Sequence, residues 1–114
     1  MHSSIIGMLV LLLGCSSAFA QSKSIRFWNL TTETVTKLHL SPAGKDAWGP
    51  NQCENDRDGE VDHRERLTLK GVEPGRYDVR IGYGTGRLCM VRNMELKSGG
   101  VFSIEDRDLK DCNK

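Results

Sequence analysis

One run of strict alternation constrains this chain more than any other feature. Tyr77, Val79, Ile81 and Tyr83 are interleaved with Asp78, Arg80 and Gly82. A side-chain period of two belongs to a half-buried β-strand, because successive Cβ atoms point to opposite faces. No stretch after the N-terminal segment sustains an apolar period of 3.6 residues. Further strands read at Ile25–Leu30, at Leu67 with Leu69, and at Val101–Glu105, where Phe102 and Ile104 share a face. In Val35–Ser41, Thr36, Leu38 and Leu40 face one way and Lys37 and His39 the other. Leu88–Leu96 reads as the partner of the alternating strand across the Gly84-Thr85-Gly86 turn, and Arg92 breaks its apolar face and marks a bulge. Thr31-Thr32-Glu33, Val72-Glu73-Pro74-Gly75 and Ser98-Gly99-Gly100 are the remaining turns, and Leu109 reads as a cap on the core. Six or seven short strands at roughly ten-residue spacing predict an all-β fold, an antiparallel β-sandwich of immunoglobulin-like or transthyretin-like type. Trp28 and Tyr77 read as core residues.

The first twenty residues have a different composition. They hold 13 of the chain's 43 apolar residues and no Asp, Glu, Lys or Arg. Met1–Ala20 reads as a secretory signal, with an apolar run over Ile5–Leu13 and small residues at Ala18 and Ala20 placing cleavage before Gln21. The run is too short for a membrane span, which needs about 20 apolar residues. Leu12-Leu13-Gly14-Cys15 resembles a bacterial lipobox, so a lipid anchor on Cys15 is the alternative exit. Either route places residues 21–114, one domain, outside the cytoplasm in the periplasm or beyond, where thiols meet an oxidising environment. About a third of those 94 residues are charged and about a third apolar, which is lean for a globular domain. A chain of this length excludes a large enzyme, a repeat array and a polytopic membrane protein.

Such a thin core benefits from a covalent staple. With Cys15 removed or lipidated, Cys53, Cys89 and Cys112 remain, an odd count that allows one bridge and leaves one thiol. Cys89–Cys112 is the preferred pair because it ties the tail to a strand; Cys53 to either of them is the alternative.

Ser41–Gly59 reads as one long loop, and the loop region runs on to Glu65 with an unusual charge pattern. Glu54, Asp56, Asp58, Glu60, Asp62 and Glu65 place six of the 15 acids within twelve residues, opposed by Arg57 and Arg64. Alternating acids around Gly59, with Val61 in an apolar slot and Glu65 closing, resemble the calcium loop of an EF-hand. There Asp56 and Asp58 would ligate by side chain, Glu60 by its main-chain carbonyl, Asp62 directly or through water and Glu65 bidentately. The departures are Glu54, where Asp is required, and the absence of a helix before the loop. The competing reading is a solvated surface turn.

Other chemistry is sparser. His39 and His63 are the histidines after the leader, and no Cys-x-x-Cys or His-x-x-x-His spacing points to zinc. Cys53 with His63 would be a nucleophile pair only if the thiol were acidic, which nearby carboxylates oppose. Asp56 with Glu65 would serve acid–base chemistry only across a cleft. Arg76, Arg80, Arg87, Arg92 and Lys97 could line one sheet face, but without the interleaved aromatics of a nucleic-acid site, so no nucleic acid is expected. Trp48, in Trp48-Gly49-Pro50, is either an exposed anchor for a protein or glycan or a ring folded back over the end of the strands.

At Leu38–Gly49 (LHLSPAGKDAWG) and Gly75–Ile81 (GRYDVRI) the chain resembles a family of small secreted bacterial proteins. Their pattern is a strand ending in Ser-Pro, a Trp-Gly loop, a Pro-Gly turn and a Tyr-Asp-Val-Arg strand. Gly86-Arg87-Leu88-Cys89, Val101-Phe102-Ser103-Ile104, Leu109 and Cys112 extend the resemblance over nearly the whole domain. It implies a β-sandwich and export, and it carries no activity, no catalytic residue and no calcium site. The expectation is therefore a non-enzymatic exported domain that binds or scaffolds, with calcium binding at residues 54–65 as the alternative.

Overall fold

The computed structural model describes residues 23–113. Residues 1–20, where the signal was expected, and Cys15 lie outside the described residues. Six strands are present: β1 Arg26–Leu30, β2 Val35–Pro42, β3 Arg66–Thr68, β4 Gly75–Tyr83, β5 Leu88–Leu96 and β6 Val101–Glu105. They form two three-stranded sheets, β3-β1-β6 and β2-β4-β5. The only helical pieces among the described residues are short 3-10 turns at Gln52–Asn55 and Asp106–Asp108. No helix there is long and apolar enough to cross a membrane.

Alternation decides which residues meet in the core. Ile25, Phe27, Phe102, Ile104, Leu67 and Leu69 come from or flank the first sheet, and Val35, Leu38, Leu40, Val79, Ile81, Tyr83, Val91 and Leu96 come from the second; all are buried in one cluster. Phe27 and Phe102 sit side by side on neighbouring strands with ring centroids 5.5 Å apart. Leu109 and Tyr77 pack against the cluster and are partly buried.

Three sequence expectations need correction. The sheets are not purely antiparallel: β1 runs antiparallel to β3 but parallel to β6, with Phe27 opposite Phe102. Side-chain alternation is the same for either direction, and no hairpin links these first and last strands to fix it. Trp28 is not a core residue. It lies on the outer face of β1, half-buried, with the Arg66 guanidinium 4.1 Å from its ring centroid and its Nε1–H donated to the Arg64 carbonyl. The inward position there is Asn29, fully buried: its Oδ1 accepts from Thr31 N–H and Oγ1–H, and its Nδ2 donates to the Glu33 and Val61 carbonyls. Finally, Ser41–Gly59 is not one irregular loop, because β2 runs on to Pro42 and a 3-10 turn occupies Gln52–Asn55.

The bulge expected at Arg92 is present. Tyr77 pairs with Met94 and Val79 with Val91, so β5 carries one extra residue there. Asn93 takes φ 57°, and its N–H donates to the buried Asp78 carboxylate at 2.9 Å. Cys89 and Cys112 are joined by a disulfide, which holds the tail against β5.

Candidate functional site

The loop that follows β2 is built around polar side chains aimed at backbone. Asn51 Oδ1 accepts from Leu38 N–H at 2.9 Å and from Cys53 N–H at 3.0 Å, while its Nδ2 donates to the Thr36 carbonyl. Gly49 N–H donates to the Leu40 carbonyl, and Val61 exchanges both backbone bonds with Val35. These groups lie along the free edge of β2. The buried Gln52 does the same for the other sheet: Nε2 donates to the Lys70 carbonyl and Oε1 accepts from Lys70 N–H. Asn55 Nδ2 adds a bond to the Thr68 carbonyl on β3. The loop thus stands in for a missing strand beside both β2 and β3, which removes two exposed edges.

That framework carries Trp48 to the surface in a fixed pose. Ser41 Oγ accepts from Ala47 N–H at 2.8 Å, and the His39 imidazole donates Nδ1–H to the Gly49 carbonyl. Between those anchors the half-buried indole lies on the Arg80 guanidinium, 4.2 Å from guanidinium carbon to ring centroid. Its Nε1–H is donated to Asp46 Oδ1 at 2.6 Å. Asp46 itself takes φ 52°, a left-handed conformation that Asp tolerates better than most residues. A cation over an indole face adds roughly 0.5–2 kcal/mol, depending on exposure.

Beside the indole lies a cavity of about 270 Å³ lined by Gly44, Asp46, Trp48, Asp78 and Arg92. Asp78 is its best-defined polar group. Gly44 and Asn93 each donate a backbone N–H to its carboxylate, and these bonds, with Arg92 at 3.8 Å, hold its carboxyl below the usual range against the opposing effect of burial. Arg92 also reaches Asp111 at 3.7 Å. Ring, carboxylates and guanidinium together make a shallow amphipathic site. A second cleft of about 350 Å³, more apolar, lies under the other side of the loop between Leu40, Pro50, Val72 and Tyr77.

The acidic segment is arranged differently. Glu54 falls within the 3-10 turn and is exposed, as are Asp58, Glu60, Asp62 and Glu65; Asp56 is half-buried. Asp56 Oδ2 accepts from Asp58 N–H, Asp62 Oδ1 from Thr34 Oγ1–H, and Glu65 Oε1 from Asp62 N–H. The first and last of these bonds close local turns, and the Thr34 bond ties the segment to the residue before β2. Among the described residues no three carboxylates, thiols or imidazoles gather closely enough to hold a metal.

The remaining candidates are placed separately. Cys53 is fully buried, with its Sγ 3.8 Å from the Val35 carbonyl. Burial, reinforced by Asp56, pushes its thiol up to about 12, so it supplies no thiolate near neutral pH. His63 is turned to the Thr31 carbonyl at 2.7 Å. The basic residues do not form one free face: Arg80 covers Trp48, Arg87 lies 3.9 Å from Glu33, Arg76 lies 3.9 Å from Glu95, and Arg92 faces two aspartates. The Asn51, Gln52 and Asn55 frame was not anticipated. Its signal was three amide side chains in five residues at the end of a Gly- and Pro-containing segment. The chain matches no family model, and neither a curated protein nor a solved structure shows significant similarity to it.

Proposed function

We propose that this protein is an exported, non-enzymatic β-sandwich that works by binding, with the ligand surface centred on Trp48. In this reading the two sheets face each other as an immunoglobulin-like or transthyretin-like sandwich, and the loop between β2 and β3 is its recognition element. The observation that carries it is the indole held between Arg80 and Asp46 at the lip of a polar cavity. An amphipathic ring fixed in advance loses little freedom on binding, which is how small recognition surfaces gain affinity. The site has a flat apolar face flanked by hydroxyl-binding groups, and that chemistry suits a glycan, with a protein segment as the other class of ligand. Export is supported by the leader composition and agrees with the Cys89–Cys112 disulfide.

The test is binding of neutral and N-acetylated oligosaccharides to the wild-type protein and to Trp48→Ala. Affinity should fall roughly tenfold or more in the variant while its circular dichroism and cooperative melt show that the fold is kept. Binding that ignores Trp48, or no binding to either class of ligand, would refute it.

Calcium at residues 54–65 is the second reading. It is favoured by Gly59, whose φ of 75° makes the sharp turn that such a loop needs, and by Val61, which bridges to Val35. As placed, the carboxylates do not form a cage; calcium would have to take Asp56 and Glu65 from the turns they now close. Calorimetry with millimolar calcium separates the readings, since the first expects no heat and no gain in melting temperature.

A further inference from the structure

Each of the two sheets presents two edges, and the covering of the four is unequal. The loop covers β2 and β3 as described. The tail covers β5 as far as Met90, which exchanges both backbone bonds with Lys110, while Leu88 is bonded by Asn113 through N–H and carbonyl alike. The fourth edge is β6. Arg26 N–H donates to the Gly100 carbonyl, so the even residues of β6 address β1 and the odd ones turn their backbone groups outward. Glu105 fits this parity, since its N–H is taken by the Asp108 carboxylate at 2.8 Å. Val101 and Ser103 have no such partner among the described residues. Among the described residues Val101 is also the exposed large hydrophobic residue, at 41%. The edges of β2 and β3 are covered and that of β5 is covered over Leu88–Met90, so the free backbone groups of Val101 and Ser103 are a template for another strand.

The charges along this edge indicate which strand. At the start of β6 stand Lys97, Arg26 on the adjoining β1, and Lys23, whose carbonyl accepts from Gly99 N–H. At its end stand Glu105, Asp106 and Asp108, with Arg107 bonded to Glu105. One end is basic and the other acidic, which is the arrangement that favours antiparallel pairing with an identical strand. We infer that β6 is a homodimerisation edge, pairing with β6 of a second copy about a two-fold axis at Ser103. Ser103 N–H and carbonyl then exchange bonds with Ser103 of the second copy, and Val101 N–H donates to the carbonyl of Glu105 of the second copy at either end. Glu105 N–H then bonds to the Val101 carbonyl of the second copy in place of the Asp108 carboxylate that now takes it. Phe102 of one copy lies opposite Ile104 of the second copy on the inner face, beside the cleft of about 250 Å³ between Ile25, Leu96 and Phe102. On the outer face Val101 lies opposite Glu105 of the second copy, and the basic end of each strand meets the acidic end of the other.

Sedimentation equilibrium of the purified protein tests this, from roughly micromolar to millimolar concentration, the range expected for so short an interface. The expected result is a monomer–dimer equilibrium that added salt weakens. The register predicts opposite signs at one exposed position: Val101→Glu, facing Glu105, raises Kd roughly tenfold, whereas Val101→Lys lowers it. Ser103→Pro removes the bonds across the axis and abolishes the dimer, and near-UV dichroism reports whether it still folds. Should it fail to fold, the Val101 pair decides. A protein that stays monomeric throughout, or a dimer on which the two Val101 variants act with the same sign, overturns the inference.

Discussion

On the flank formed by β2 and β3, the amides of Asn51, Gln52 and Asn55 stand where a neighbouring strand would, each bonded to backbone within 3.3 Å. On the flank formed by β5 and β6, a disulfide and a short tail cover β5 from Leu88 to Met90 and β6 is left open. The first closure is non-covalent and depends on donor and acceptor geometry at several atoms. The second is covalent at one point and needs only a few bonds besides. Edges can be closed by either means in a chain with few apolar residues to spare. The first flank carries Trp48 on a loop bonded to both sheets, and on the second the backbone groups of Val101 and Ser103 have no partner among the described residues.

The largest effect that distinguishes the flanks comes from the disulfide. Replacing Cys89 and Cys112 by Ser should lower stability by about 3 kcal/mol in urea melts, since the bridge closes a separation of 23 residues. Amide exchange should then rise at Leu88 and Met90 while Leu38 and Lys70 stay protected. If all four lose protection together, the flanks are one cooperative unit and the comparison fails. Asn51→Ala should lower stability by about 2–3 kcal/mol, because it leaves Leu38 N–H, Cys53 N–H and the Thr36 carbonyl without their partner. Here exchange should rise at Leu38 and Cys53 and not at Met90.

Asp78 lies between the Trp48 loop and the β5 bulge. Asp78→Asn should lower stability by about 2 kcal/mol near neutral pH, since an amide cannot accept from both Gly44 and Asn93. Its folded carboxyl is held below the ordinary 3.8. Its contribution is therefore complete above that value and is lost as pH falls through the folded value, so the variant should show a shallower acid limb. Cys53→Ala should lower neutral stability by about 1–2 kcal/mol. The folded thiol is raised from 9.0 to about 12, so its contribution is complete below 9.0 and is lost as pH rises towards 12. The alanine variant should lose less stability over that window, and thiol reagents should reach Cys53 in the wild type only on unfolding. The smallest effect is at Tyr83, whose buried hydroxyl has no hydrogen-bond partner among the described residues. Tyr83→Phe should leave stability within about 0.5 kcal/mol or raise it.

Much of the strand framework is legible in the chain. Alternation over Tyr77–Tyr83 locates β4, and Arg92, interrupting the Leu88, Met90, Met94 and Leu96 face, marks the bulge; which face turns inward is not legible, since Cys89 and Val91 are buried before the bulge and Leu96 after it. The candidate site is less legible. Trp48 stands out by residue type, but its partners Arg80 and Asp78 sit inside a strand and read as its polar face. The acids at 54–65 stand out even more, yet in the structure Asp56 and Glu65 close local turns and Asp62 accepts from Thr34. A cluster in sequence becomes a site only if the backbone brings its oxygens to one point.

Local chemistry alone determined an all-β chain, its turns and which face of most strands is apolar, because those properties depend on neighbours one or two residues away. The direction of β6 beside β1, the outward turn of Trp28, the amides that close β2 and β3 and the exposed edge of β6 were decided only by tertiary structure. Each depends on which backbone groups arrive side by side after the chain has folded, and residues as far apart as Arg26 and Val101 carry no local signal of that meeting.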